Sequence, residues 1–230
     1  MKKLALLVGA IALTGSSMAQ RPTDSNPFSL EGGLSLNTTS NTFNAPMLKL
    51  RYFASDNIAI RLGLQMNNSK EVENFYGFDA QGDETADSLG TITTKDRLTW
   101  ISLGGSYHFS QMERLSPYVA LDVMIGMGST KVDGVDASSF GGYTDGLSST
   151  STTKGSGLGI NIAGGFDYYF AENVFIGGEV GFMFLSGKDK GGEASTTFGS
   201  TTTTVTTLPT GSTSSFGNSA TAAIRLGWRF

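Results

Sequence analysis

The end of this chain is the feature that most restricts its fold. Across residues 220–230, apolar residues alternate without interruption with polar or small ones. One face would carry Ala220, Ala222, Ile224, Leu226, Trp228 and Phe230, and the other Thr221, Ala223, Arg225, Gly227 and Arg229. Strict alternation with period two predicts a β-strand whose two faces meet different environments.

The beginning of the chain has the three parts of a secretory signal peptide. A short basic start precedes the apolar stretch Leu4–Leu13, and a small polar region ends in Ser17-Met18-Ala19. The apolar stretch is too short to cross a bilayer as a helix, so we interpret residues 1–19 as a cleaved signal. Residues 20–27 are then expected to be a short periplasmic N-terminal segment, and 28–230 to form one domain.

Seven further segments alternate in the same way as the last one. The eight predicted strands are 28–36, 47–53, 58–66, 98–109, 117–127, 157–170, 174–185 and 220–230. Connections after the second, fourth and sixth segments are short, whereas those after the third, fifth and seventh are long and polar. Outer-membrane barrels combine short periplasmic turns with long extracellular loops. The sequence therefore predicts an all-β fold, an eight-stranded antiparallel up-and-down transmembrane β-barrel with short periplasmic turns and long extracellular loops.

Aromatic residues gather where the segments meet the short turns. We predict a periplasmic aromatic girdle of Tyr52, Tyr107, Phe109, Tyr168 and Phe170, and we place Phe28, Phe53, Tyr118, Phe175, Trp228 and Phe230 at the same level. Such girdles are typical of membrane–water interfaces, which gives this rim a physical reason to be aromatic.

A soluble barrel with its apolar faces turned inward is the alternative fold. Its outer surface would be rich in Lys and Glu, whereas the polar faces here are mostly Gly, Ala, Ser and Thr. Charged residues make up only 16% of the chain, against about 25% in ordinary soluble domains. We therefore expect the apolar faces to meet lipid and the small polar residues to fill a narrow lumen.

The inward-facing positions contain four acids and five bases, most of them in the half of the barrel nearest the short turns. They are Glu31, Lys49, Arg51, Arg61, Asp122, Asp167, Glu179, Arg225 and Arg229. Buried charges are costly unless they are paired and hydrogen-bonded, so we predict a structural polar network that plugs the lumen. A gate or a narrow solute path is the alternative, because ion pairs of this kind could open.

Two ring-bearing residues need separate interpretation. Trp100 falls out of phase in its segment, which indicates either a β-bulge or a Trp that faces inward. His108, the only histidine, lies beside a predicted periplasmic turn with Ser106, Ser110 and Gln111 near it in sequence. We expect a hydrogen-bonded or solvated histidine rather than a catalytic one, since no carboxylate is close in sequence.

Several classes of function receive no support. The formal net charge is −4 with no basic patch, which argues against nucleic-acid binding. No cysteine is present, and the acids of the long loops lack calcium-loop spacing, so we predict no metal site and no cofactor.

The signal peptide, the eight strands, the loop asymmetry and the Trp228-Arg229-Phe230 end together resemble the OmpA/OmpX-type family of small outer-membrane barrels. The resemblance implies location in the outer membrane, contact with lipid and lipopolysaccharide, and a monomer. It also implies delivery by periplasmic chaperones to the barrel-assembly machinery. The expected assembly signal consists of Ile224, Leu226, Trp228 and Phe230. Unlike OmpA, the chain shows no peptidoglycan-binding domain after Phe230, which puts a cell-wall tether in doubt.

Three functions remain open at this point. We favour a non-enzymatic barrel with a structural or surface-interaction role, such as envelope integrity or adhesion through its loops. A narrow pore for small solutes is the second, and a lipid-modifying enzyme is the third. The absence of histidine from the predicted long loops disfavours the enzyme, because by resemblance such enzymes act near the outer leaflet.

Overall fold

The computed structural model describes residues 26–37, 42–78, 84–109, 112–138, 143–209 and 211–230. These residues form strands, and the described connections include short turns at 54–57, 172–173 and 199–200. The strands are β1 (Phe28–Asn37), β2 (Thr42–Phe53), β3 (Ile58–Phe78), β4 (Glu84–His108), β5 (Leu115–Ala137), β6 (Tyr143–Ala171), β7 (Val174–Phe198), β8 (Thr201–Thr207) and β9 (Ser212–Arg229). None of the described residues belongs to a helix long and apolar enough to cross a membrane. The predicted signal peptide lies outside the described residues.

Eight of the strands close into a ring. Each strand from β1 to β7 pairs antiparallel with the next, β7 pairs with β9, and β9 pairs with β1 from Ser29↔Arg229 to Asn37↔Thr221. Strand β8 pairs with β7 alone and lies outside this ring. The predicted eight-stranded up-and-down barrel is therefore confirmed. The additional strand, β8, belongs to a hairpin within the last long connection.

The long connections predicted on this side of the barrel consist largely of paired β-strands. Pairing between β3 and β4 continues to Phe78↔Glu84, and pairing between β5 and β6 continues to Ala137↔Tyr143. The β6–β7 ladder likewise reaches Leu147↔Phe198, where β8 joins it. Beyond the apolar band the ladders thus form an extracellular sheet of six strands in the order β3-β4-β5-β6-β7-β8. Most residues of this sheet are polar or glycine on both faces, with Ile92 among the few buried apolar side chains, so its strands carry no period-two signal.

Outward and inward residues are distributed as in a membrane barrel. Leu103, Leu158 and Val180 are 60%, 61% and 65% exposed on the outer face. By contrast, Arg51 and Arg61 on the inner face are 1% and 2% exposed. Apolar side chains that face outward around a buried charged interior are what a hydrocarbon solvent requires.

The five residues of the predicted aromatic girdle lie at the short-turn rim. Tyr52, Tyr107, Phe109 and Tyr168 are exposed on the outer face at the short-turn rim, and Phe170 there is half-buried. Rings pack on one another along this rim, with centroids 5.2 Å apart for Phe28 and Tyr52 and 5.0 Å apart for Trp228 and Phe230.

Three aromatics that we placed at girdle level point into the lumen. Phe53, Tyr118 and Phe175 are 6%, 2% and 0% exposed. Each lies on the inward phase of its strand, because β-strand side chains alternate and their neighbours Tyr52, Val119 and Ile176 take the outer face. Position along a strand sets the depth of a side chain, but its phase sets the face.

Candidate functional site in the barrel lumen

All nine predicted lumen charges lie inside the barrel, and seven of the eight wall strands contribute. They are Glu31 on β1, Lys49 and Arg51 on β2, Arg61 on β3, Asp122 on β5, Asp167 on β6, Glu179 on β7, and Arg225 and Arg229 on β9. Eight of them are buried to 5% exposure or less, and the Glu179 side chain is 9% exposed. These charged residues all lie on the inward phase of their strands.

Two arginines and two carboxylates form a closed square of ion pairs. Arg51 Nη1 lies 2.7 Å from Asp167 Oδ2, and Arg51 Nε pairs with Glu31. Arg225 Nη2 lies 3.0 Å from Asp167 Oδ1, and Arg225 Nη1 donates to Glu31. Each carboxylate thus bridges two guanidinium groups, which offsets the cost of removing four charges from water.

A second cluster lies around Glu179. Its carboxylate accepts from Lys49 Nζ at 3.2 Å and from Arg61 Nη2 at 2.8 Å. Arg61 Nη2 also lies 3.2 Å from Asp122 Oδ2, which accepts from Asn161 Nδ2 at 3.4 Å. This cluster connects strands from opposite sides of the ring, since β2 and β3 carry the bases and β7 carries the central acid.

Tyr118 joins the two clusters. Its hydroxyl donates to Glu179 Oε2 at 2.6 Å and accepts from Arg225 Nη2. The guanidinium groups of Arg225 and Arg61 lie 5.4 and 5.6 Å from its ring centroid, within cation–π range. We did not predict this bridging role, although the inward phase of Tyr118, between Ser116 and Ala120, was readable from the sequence.

Glycines make room for the network against the barrel wall. A Cβ atom at Gly177 would lie 2.7 Å from Arg225 Nη2, and one at Gly104 would lie 2.3 Å from Asp122 Oδ1. At the level of Asp122, strand β4 carries Gly104 in place of a charged residue. This glycine leaves space for the Asp122 carboxylate.

An aromatic layer covers the network on its periplasmic side. The ring of Tyr169 packs 5.2 Å from that of Phe175, and Arg229 lies over the Phe53 ring at 3.9 Å. Arg229 Nε also donates to the Asn26 carbonyl at 2.5 Å. Arg229 therefore belongs to the rim rather than to the square of ion pairs.

His108 is buried and held by hydroxyl groups. Its Nδ1 lies 2.8 Å from Ser116 Oγ, its Nε2 lies 3.3 Å from Ser106 Oγ, and its ring packs 5.5 Å from the Phe53 ring. Side-chain exposure is 0%, so the expectation of a solvated histidine was wrong and that of a hydrogen-bonded one agrees with these contacts. The lipid-modifying hypothesis gains nothing from a histidine buried at the periplasmic rim.

Trp100 separates two cavities in the upper lumen. The ladders that flank it run without a register shift, so the β-bulge interpretation was wrong and the inward one correct. Below it lies a small cavity of about 90 Å³ beside Asp122 and Asn161. Above it lies a wide space of about 900 Å³, named the vestibule below, which is lined by residues of β4, β5, β6, β7 and β9.

Charged groups on the outer face of the extracellular sheet are paired at similar distances but are exposed to water, with the Lys131 side chain 47% exposed. Lys131 Nζ lies 2.7 Å from Asp133 Oδ1, which also accepts from Thr150 Oγ1 at 3.1 Å. Lys95 Nζ lies 3.6 Å from the other Asp133 oxygen. The hydrogen bond from Lys131 lowers the pKa of Asp133 below its ordinary value.

Sequence comparison identifies a related family. The model of the OmpA-OmpF-like porin family matches residues 34–184. A comparison with curated proteins finds no significant match.

Solved outer-membrane barrels share the architecture at low sequence identity. A major outer membrane protein from Thermus thermophilus is 14% identical with a TM-score of 0.52, covering 88% of this chain and 98% of that one. The N-terminal β-barrel domain of Pseudomonas aeruginosa OprF is 15% identical with a TM-score of 0.35, covering 88% and 96%. Ail, the attachment invasion locus protein of Yersinia pestis, is 11% identical with a TM-score of 0.37, covering 88% and 95%. The first of these supports the fold.

Proposed function

The chain belongs to the OmpA-OmpF-like porin family, and from this premise we propose that it is an outer-membrane barrel with a plugged lumen that acts through its extracellular sheet. Its role is structural or adhesive: it contributes to envelope integrity and meets the surroundings of the cell. The observation that carries this proposal is the layer of ion pairs across the lumen.

Closure of the lumen follows from the energetics of that layer. The side chains of Glu31, Arg51, Asp167 and Arg225 are at most 1% exposed, and each contacts two partners of opposite charge. To open a path, several of these contacts would have to break together in a medium where unpaired charges are costly. The layer is therefore a better plug than a gate.

A surface role is supported by the shape of the extracellular sheet. The sheet has two edges, β3 beyond Met66 and the hairpin strand β8, neither of which has a second partner among the described residues. All seven residues of β8 are exposed. Exposed strand edges are places where other chains can pair, and they give the sheet a means of contact.

Assembly in the membrane is the second part of the proposal. Ile224, Leu226, Trp228 and Phe230 are all exposed on the outer face of β9, where a recognition factor could reach them. We propose that they are read by the barrel-assembly machinery after chaperone delivery through the periplasm. The mature chain then resides as a monomer among outer-membrane lipids and lipopolysaccharide.

Conductance in planar bilayers tests the plug. We expect no channel openings from the wild-type protein, and none from Arg97→Ala, a matched loss of an arginine that borders the vestibule outside the ion-pair layer. Glu31→Ala and Arg225→Ala are expected to show openings if they still fold, because each leaves two buried partners short of one counter-charge. Regular openings of the wild-type protein would overturn the plugged lumen, and silent traces from both alanine variants would end the idea that this layer can gate.

Adhesion of expressing cells tests the surface role. A chain in which residues 192–207 are replaced by a short turn should insert normally, since this hairpin lies outside the ring. Cells carrying it are expected to adhere less to glass and to protein-coated surfaces than cells with the same outer-membrane amount of the full chain. Equal adhesion together with unchanged resistance to detergent would contradict a surface or envelope role.

A narrow pore is the second candidate, and the vestibule favours it. This space leads inward to Trp100 and the small cavity beneath, which is the arrangement that a solute entering from outside would meet. The bilayer recordings of the wild-type protein decide between the two.

A further inference from the structure

The vestibule is a built concavity rather than a gap between loops. Its volume of about 900 Å³ falls within the range of ligand pockets in proteins. Paired strands form its walls, and the indole of Trp100 lies at its inner end. The ion-pair layer lies on the periplasmic side of Trp100, so the vestibule is a property of the upper lumen that does not depend on the proposed plug.

The inner end of the vestibule is apolar. Trp100 is half-buried, and Leu98, two positions further along the same face of β4, is 40% exposed. Leu185 on β7 lines the same space. Apolar surface left open inside a membrane barrel, where water enters from outside, is surface that a ligand can cover.

Trp100 lies flat against the wall. A Cβ at Gly126 would lie 2.6–2.7 Å from three atoms of the six-membered ring, and a Cβ at Gly157 would lie 2.8 Å from one of them. One ring face therefore packs on the β5 backbone at Gly126, and the opposite face is turned to the lumen. This makes the indole a planar stacking platform.

Two carboxylates line the vestibule further from the ion-pair layer than this platform, with Asp96 four positions, about 13 Å, along β4 from Trp100. Asp96 Oδ1 accepts from Thr130 Oγ1 at 2.6 Å, and Asp189 Oδ1 accepts from the backbone N–H of Gly191 at 2.7 Å. Both residues line the vestibule. These contacts orient the carboxylates, and Asp96, which also accepts from Ser69 Oγ at 3.5 Å, has two of the about four hydrogen bonds that an ionised carboxylate can accept.

We propose that the vestibule binds a neutral glycan, with the C–H face of one sugar ring stacked on Trp100 and hydroxyls of the adjoining sugar rings donating to Asp96 and Asp189. A sugar ring combines an apolar face with a rim of hydroxyl donors, which matches an indole flanked by carboxylates. A purely apolar ligand would remove the carboxylates from water without replacing their hydrogen bonds. The residues that line the vestibule include three bases, Arg97, Lys154 and Lys188, against the two acids, so a cationic ligand gains no net charge attraction there.

Fluorescence of Trp100 gives a direct test in the whole mature chain. The second tryptophan, Trp228, faces lipid at the other rim and is removed by Trp228→Phe, so that emission reports Trp100 alone. The protein is held in a polyoxyethylene detergent, because sugar-based detergents would occupy the site. Cellohexaose, chitohexaose and maltohexaose are titrated in turn, and we expect a saturable change in emission with at least one of them.

Calorimetry with the responding hexasaccharide then assigns the contacts. Trp100→Ala should weaken binding about tenfold or more, while Trp100→Phe should restore part of the affinity because it keeps a flat ring. Asp96→Asn and Asp189→Asn should each weaken binding several-fold. The control is Asp133→Asn, the same change on the outer face of the sheet, which should bind like the wild type.

Gly128→Val is a second variant that tests the same site if Trp100→Ala fails to fold. A Cβ at Gly128 has its nearest contact at 3.5 Å, so the substitution fits the backbone and fills vestibule space beside Leu98. Folding of each variant is checked by its change in electrophoretic mobility on heating, and Gly128→Val should reduce binding while keeping that change. Absence of a saturable response to all three hexasaccharides would overturn the proposal. So would wild-type affinity in both Trp100→Ala and Gly128→Val, or tighter binding of tetramethylammonium than of any sugar.

Discussion

The lower and upper halves of the lumen are enclosed by the same ring of strands and are filled in opposite ways. In the lower half, long charged side chains such as Arg51 and Arg225 cross the interior and meet acids from distant strands. In the upper half, the wall positions of β5 and β6 include Gly126, Gly128 and Gly157, and a space of about 900 Å³ remains. Whether this barrel is open or closed at a given depth is therefore decided by its side chains rather than by its strand number.

Glycine has a different consequence in each half. Gly177 leaves room that the Arg225 guanidinium and the Asp167 carboxylate occupy. Gly128 leaves room that no described side chain fills closer than 3.5 Å. Glycine thus permits dense packing where long charged side chains fill the space, and leaves an open cavity where none do.

The largest effect is expected from Arg225→Ala, which removes two ion pairs from the lower half of the lumen. It leaves Glu31 and Asp167 each short of one positive partner in a buried layer, and we expect a loss of about 3–5 kcal/mol in the free energy of unfolding. Urea unfolding in lipid vesicles measures it, with Arg97→Ala at the vestibule mouth as the control. A loss no larger than that of the control would mean that the network is not a coupled unit.

Tyr118→Phe tests the bridge between the two clusters. The ring remains while the hydroxyl that donates to Glu179 is lost, so we expect a cost of about 1–3 kcal/mol from the same unfolding experiment. Tyr107→Phe is the matched control, because that side chain faces outward at the rim and is 49% exposed. Equal costs for the two variants would show that the buried hydroxyl contributes nothing specific.

Gly126→Ala and Gly128→Ala sharpen the description of the upper half. At Gly126 the new methyl group would meet the Trp100 ring at 2.6 Å, whereas at Gly128 the nearest atom lies at 3.5 Å. We expect Gly126→Ala to cost about 1 kcal/mol and to shift Trp100 emission, and Gly128→Ala to be close to neutral. If both variants left the emission of Trp100 unchanged, the flat placement of the indole on β5 would be wrong.

The smallest effect is expected at the exposed pair Lys131–Asp133, which contrasts with the buried pairs. The folded-state pKa of Asp133 is lowered, so its stabilising contribution is complete above the unfolded-state pKa and is lost as pH falls through the folded value. The free energy of local opening of this hairpin, measured by amide hydrogen exchange, should fall by a few tenths of a kcal/mol below about pH 4. Asp133→Asn should remove that dependence, and an unchanged pH profile in the variant would assign it to other groups.

The sequence predicted the fold where one strand face meets lipid and the other the lumen. Ile58–Met66 alternates because of that contrast, whereas the extracellular part of β3, which meets water on both sides, carried no signal and was taken for a loop. The inward charges were predictable for the same reason. Their partners were not, because pairs such as Lys49 with Glu179 depend on the angular position of each strand around the closed ring. Trp100 needed the ladders themselves to distinguish an inward ring from a bulge.

Cysteine labelling measures at which depth the lumen is open to the outside, and it can use single introduced thiols because the natural chain contains no cysteine. Gly128→Cys places a thiol in the vestibule, and Ala59→Cys places one on the buried lower wall, where Ala59 is 0% exposed. A membrane-impermeant, charged thiol reagent is added outside intact cells, and labelling after SDS denaturation calibrates the total. We expect rapid labelling of Gly128→Cys and none of Ala59→Cys. Comparable labelling rates for the two thiols would contradict a lumen that is open above the ion pairs and closed by them.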